Sequence, residues 1–141
     1  MKEDFYNMEN YTQEDYIKYR IERAKETISE VRIHIDNKLW NTAINRMYYA
    51  CFYAVSALLS SKNINITSHA GLRQKFGEYF VKTGVINREL AKHFTELSEK
   101  RHKGDYNDFY DYDENTVKDL YPTSQKFVNE IEKLLISISN G

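Results

Sequence analysis

Apolar residues recur along this chain at steps of three and four, and no stretch shows the two-residue alternation of a half-buried strand. Ile17, Ile21, Ala24, Ile28, Val31 and Ile35 form a first seam, close to the heptad spacing of antiparallel bundles. Thr12 stands at the N-cap of that segment, Asp15 supplies an acidic first turn, and the DNK run at 36–38 ends it. A second helix is expected over 40–61, with Ile44, Met47, Tyr48, Cys51, Phe52, Val55, Leu58 and Leu59 in phase. On the neighbouring face Ala43, Ala50, Ala54 and Ala57 permit close helix approach. A polar loop, KNINITS, follows, and then a shorter helix with Leu72, Phe76 and Phe80 on one side and Gly84 as its stop. The fourth helix is expected over 87–103, with Leu90, Phe94, Leu97 and Arg101 in phase and Gly104 closing it. The acidic, aromatic run DYNDFYDYDEN reads as an ordered loop packed by its tyrosines. The last helix spans 114–138, and Pro122 inside it predicts a kink or a break.

The pattern therefore predicts an all-α fold, an up-and-down four-helix bundle with one short additional helix. It occupies residues 13–138, between an N-terminal tail over 1–12 and a C-terminal tail over 139–141. A chain of 141 residues makes one domain and buries about two-thirds of its unfolded surface, so it needs neither a disulfide nor a metal to hold it. One proline and five glycines suit long helices. The single cysteine, Cys51, lies on the apolar stripe, which rules out an internal disulfide and fits a reducing compartment. The acidic start of the chain lacks the apolar core of a signal peptide, and no run reaches the ~20 apolar residues of a membrane span. A cytoplasmic protein with no membrane partner is expected. Twenty basic against 21 acidic residues argue against duplex DNA as a ligand, while a local basic patch remains able to grip single-stranded RNA.

Metal chemistry has no support in the spacing. His34, His69, His93 and His102 form no HxxxH or HExxH pair, and no glycine-rich phosphate loop follows a strand, so no metal or cofactor is expected. Two arginines fall toward packed faces instead. Arg101 either caps the helix dipole while its stem covers core, or holds its guanidinium at a crevice to bind phosphate bidentately. Arg46, just off the stripe of the second helix, either pairs with a carboxylate on the first or fourth helix or joins Arg101 at a ligand. Tyr48, Tyr49 and Tyr53 serve as core and interface aromatics or as platforms for unpaired bases.

Three runs together resemble a known family. W40-x2-A43-x2-R46-x-Y48-Y49-A50-x-F52-x-A54 is followed by H69-x-G71-L72-x3-F76-G77-x2-F80-V81-K82-T83-G84, then by R101-x3-D105-Y106 and the terminal F127-V128-x2-I131 helix. In that order, over nearly the whole chain, they resemble the HEPN domain (higher eukaryotes and prokaryotes nucleotide-binding). The resemblance implies a helical bundle that is commonly a homodimer, often paired with a minimal nucleotidyltransferase in toxin–antitoxin or defence systems. Catalytic members are metal-independent ribonucleases whose motif is Arg, four to six residues, then His.

Here the three positions where that histidine would stand hold Tyr106, Asn107 and Asp108. His102 is adjacent to Arg101 and so points about 100° away on a helix, and His93 lies roughly 12 Å back along the axis. No imidazole is therefore expected beside Arg101 within one subunit. Asp105 is expected to pair with Arg101 or Arg46, and Tyr106, a poor base at neutral pH, is a weak catalytic candidate and a hypothetical acceptor of modification by a partner. The expected ligand residues are Arg101, Arg46, Asp105, Tyr106, Tyr49 and His69. The leading expectation is a HEPN-type module binding nucleotide or RNA phosphate and a protein partner. A non-standard ribonuclease toxin is the alternative, and a structural assembly module the third. The dimer contact is expected on the second and fourth helices and the loop after Gly104, bringing two Arg101 side chains toward one cleft.

Overall fold

Five α-helices carry the chain in a computed structural model that describes residues 12–140: α1 (Gln13–Asp36), α2 (Trp40–Ser61), α3 (His69–Phe76), α4 (Arg88–Tyr106) and α5 (Glu114–Asn140). A π-helical turn, Gly77–Val81, extends α3. No strand occurs among the described residues. Of the expected N-terminal tail, residues 1–11 lie outside the described residues, as does Gly141. The fold is all-α, four long helices in a bundle with α3 as the short addition.

The boundaries follow from local chemistry. Thr12 and Asp15 form a reciprocal capping box, the Thr12 hydroxyl accepting from the Asp15 amide at 3.1 Å and the Asp15 carboxylate accepting from the Thr12 amide at 3.3 Å. Asn37 caps the far end, and Lys38 turns the chain into α2 with a φ of 58°. Gly84 takes a φ of 82°, a left-handed conformation open to glycine, where the chain leaves the π-helical turn.

α2 is the centre of the bundle. From Met47 to Leu59 only Tyr49 escapes full burial, and α2 packs against α1, α3, α4 and α5. A helix apolar on every side belongs inside other helices, and this one is. Ala43, Ala50, Ala54 and Ala57 are wholly buried, as close approach requires. Cys51 is buried beside them, and burial pushes its thiol pKa up.

Three boundaries differ from the pattern. Gly104 does not end α4, which continues to Tyr106. Its role is close approach: a Cβ there would stand 3.3 Å from the Tyr112 ring and 3.5 Å from the Asn41 side chain. Pro122 does not break α5. Pro122 and Lys118 both face solvent, so the carbonyl that loses its amide donor is turned toward water. α5 also runs two residues beyond 138, taking in most of the expected C-terminal tail.

The acidic aromatic loop is ordered by its tyrosines. Tyr112 is buried and donates its hydroxyl to the Lys100 carbonyl at 3.1 Å. Asn41 clamps the loop from α2, donating to the Tyr110 carbonyl and accepting from the Tyr112 amide, both at 2.9 Å. Phe109 at its tip is 98% exposed.

Candidate functional site

Where α2, α3 and α4 meet, a cavity of about 660 Å³ opens to solvent. α2 contributes Tyr49; α3 contributes His69 and Arg73; α4 contributes Ser98, Glu99, Arg101, His102 and Tyr106.

Arg101 is seated by aromatic rings. Its guanidinium carbon lies 4.8 Å from the centroid of Tyr48 and 5.7 Å from that of Tyr49. Cation–π attraction of this kind lets a guanidinium sit at the edge of a core without a full ion pair. The side chain is only 11% exposed, and among the described residues its ion-pair partner is Asp105, one turn on, at 3.7 Å. The Asn45 amide donates to the same carboxylate at 3.0 Å. Arg101 Nε is buried with no hydrogen-bond partner among the described residues. A buried donor left unpaired beside an opening is where a ligand acceptor belongs.

His69 opens α3. The Ser68 hydroxyl caps that helix by accepting from the Gly71 amide at 2.9 Å, and a Cβ at Gly71 would crowd the same hydroxyl at 3.0 Å. The imidazole packs on Phe52, with ring centroids 4.6 Å apart, and stacks against Tyr48 at 5.8 Å. Its Nδ1 lies 2.7 Å from the Tyr48 hydroxyl. Burial first, then Arg101 and Arg73, hold the His69 pKa below the ordinary imidazole value, so the ring is neutral at pH 7. Burial raises the pKa of Tyr48 against the opposing pull of Arg101 and Arg73, which keeps its hydroxyl protonated.

At the outer rim the His102 and Tyr106 rings meet at 4.7 Å. Arg46 stands off the cavity lining. Among the described residues it makes no ion pair with α1 or α4, and its guanidinium instead lies 5.7 Å from the Tyr49 centroid. No cluster of three or more His, Cys, Asp or Glu side chains suited to a metal occurs among the described residues.

The HEPN domain model matches residues 17–134, most of the chain and every element that lines the cavity. The chain belongs to the HEPN domain family. A Thermotoga maritima protein named "UPF0332 protein" is 38% identical over 122 residues, covering 86% of this chain and 92% of its own length. Two Methanocaldococcus jannaschii proteins, named "Putative toxin MJ0605" and "Putative toxin MJ0142", are 37% and 30% identical. The first alignment covers 84% of this chain and 87% of that relative, the second 83% and 80%. No helix among the described residues is long and apolar enough to cross a membrane.

Within this HEPN fold, Tyr49, His69, Arg101 and Tyr106 come together at one opening, with Asp105 bound to Arg101 behind it. The expectation that no imidazole stands near Arg101 is overturned. His69 arrives from a different helix, and the 100° step to His102 still leaves it on the rim of so wide a cavity. His93 does lie elsewhere, buried, with Nε2 2.8 Å from the Ser124 hydroxyl. Arg73 was not singled out from the sequence. Its spacing from His69, one turn of α3, places both on one side of that helix and was the available signal. Two guanidinia, a neutral imidazole and an aromatic rim make a site for a group that is anionic at one end and planar at the other.

Proposed function

We propose that this chain is a toxin-type HEPN module that takes the phosphate of a nucleotide or of single-stranded RNA between Arg73 and Arg101. It works as a homodimer and docks a partner protein, a nucleotidyltransferase. The observation that carries the phosphate reading is the convergence of two guanidinia, from α3 and α4, on one open cavity. Glu99 is the carboxylate on the lining and Asp105 pairs with Arg101, so an incoming phosphate competes with Asp105 for one guanidinium and meets the other on Arg73. The names of the two M. jannaschii relatives support the toxin part, and the exposed Tyr106 at the opening and Phe109 at the tip of the following loop supply apolar surface for a second chain. Binding of a labelled oligouridylate, weakened at least tenfold by Arg73→Ala or Arg101→Ala, is the expected result. Wild-type protein that retains no oligonucleotide or nucleotide at millimolar concentration removes the phosphate reading. Native purification that recovers no nucleotidyltransferase, and sedimentation as a monomer at micromolar concentration, remove the partner and dimer parts separately.

A ribonuclease is the second reading, favoured by His69 and His102 on the lining beside Arg101. Metal-independent cleavage needs an imidazole to handle the ribose hydroxyl's proton while an arginine neutralises the phosphate. Growth arrest with RNA cleavage on expression, abolished by Arg101→Ala, selects this reading. Intact RNA with normal growth rejects it.

A further inference from the structure

We propose that His69 binds the ligand phosphate as a neutral hydrogen-bond donor through Nε2–H, and that Tyr48 is the positioning residue that fixes this tautomer through Nδ1. The inference rests on the phosphate reading above and deepens it. It assigns a third donor to the cavity and says which ring nitrogen carries the proton.

The argument begins with the Tyr48 hydroxyl, 2.7 Å from His69 Nδ1. Tyr48 is wholly buried and cannot swing away, because its ring lies against Phe94 on one side, at 5.7 Å and 9°, and against His69 at 5.8 Å and 18°. Arg73 and Ser98 line the same cavity, and His69 Nδ1 is the hydrogen-bond partner of the hydroxyl among the described residues. A tyrosine hydroxyl carries a single proton, and Nδ1 is the acceptor within its reach. Nδ1 is then an acceptor, and the proton of a neutral imidazole must sit on Nε2.

Burial, and then the two cations beside the ring, disfavour a second proton and keep the imidazole neutral. The ring is also held in place by Phe52, so its donor is presented without a rotamer search. Phosphate carries more acceptor sites than one guanidinium fills, and a neutral N–H adds directionality without another charge to desolvate. The shared ligand chemistry is a phosphate oxygen, supplied either by a free nucleotide or by an RNA strand.

Long-range proton–nitrogen NMR of the uniformly labelled full chain reads the tautomer directly and needs no ligand. The expected spectrum shows His69 neutral at pH 7 with its proton on Nε2, and Tyr48→Phe shifts the ring to a mixture of tautomers. A wild-type ring protonated on Nδ1, or one unchanged by Tyr48→Phe, overturns the tautomer assignment. Calorimetric titrations with inorganic phosphate, adenosine 5′-monophosphate and octauridylate test the contact and separate the two sources. His69→Ala is expected to weaken the tightest of the three about tenfold. His69→Gln, whose amide reaches near the Nε2 position, is expected to recover most of that loss. Equal affinity of wild type and His69→Ala overturns the role of His69 and leaves the cavity reading standing. Absence of wild-type binding in all three titrations brings both down.

Discussion

α2 carries two arginine–tyrosine assemblies a little more than one turn apart, and they differ in one respect. At Tyr53, Arg20 is wholly buried, its guanidinium carbon 5.2 Å from the Tyr53 centroid and 5.3 Å from that of Tyr16. Its Nε donates to the Tyr16 hydroxyl at 3.0 Å, and Arg23 lies over the same Tyr53 ring at 5.2 Å. At Tyr48 and Tyr49, Arg101 is held by the same stacking but borders open space, with Arg73 across it. Aromatic faces thus allow a guanidinium to enter either interior. What separates mortar from a binding site is the room beside the cation, since a second arginine stands at each assembly.

The sharpest way to break that contrast is to truncate each arginine in turn. Arg20→Ala should cost about 2–4 kcal/mol of folding stability, from the space vacated and the lost stacking, and should leave phosphate affinity within twofold. Urea unfolding read alongside ligand titration checks both halves. Arg101→Ala should do the reverse, losing about 1.5–3 kcal/mol of binding free energy with a smaller fall in melting temperature. A variant pair that behaves the other way round exchanges the two roles. Arg101→Lys should fall between, since it keeps the charge but not the planar fork.

The smallest expected effect is on pH dependence. His69 and His93 are both held below the ordinary imidazole value, chiefly by burial. The unfolded chain therefore binds protons first as the medium is acidified. The contribution of the two neutral rings is whole above about pH 6.5 and is lost as pH falls below it toward the lowered native values. Urea midpoints measured at pH 7.5 and 5 should drop on the acid side, and His93→Leu should flatten that slope without touching ligand affinity. A slope unchanged by either histidine substitution assigns the acid loss to carboxylates instead.

The helices were legible because burial on one face imposes its period on the sequence. The α2 stripe, the Thr12 cap and the inward turn of Arg101 all follow from spacing within a single element. The cavity was only half legible, since it depends on how α3 lies against α2 and α4. Arg73 and the reach of His69 are facts about three helices, and no periodicity within one of them reports that. Arg20 was missed for a related reason: a charged residue beside an apolar seam reads as a boundary until Tyr16 and Tyr53 are seen to enclose it. Gly104 misled because glycine serves both as a helix stop and as a gap for a neighbouring ring, and the ring that needs the gap, Tyr112, belongs to a loop.

The lone thiol at the middle of α2 offers an unplanned instrument. Cys51 is sealed on every side and its acidity is suppressed, so alkylating reagents meet it only when the bundle comes apart around it. Its labelling rate in native buffer is then a stopwatch on rare openings of the whole molecule, with no dye, tag or extra substitution required.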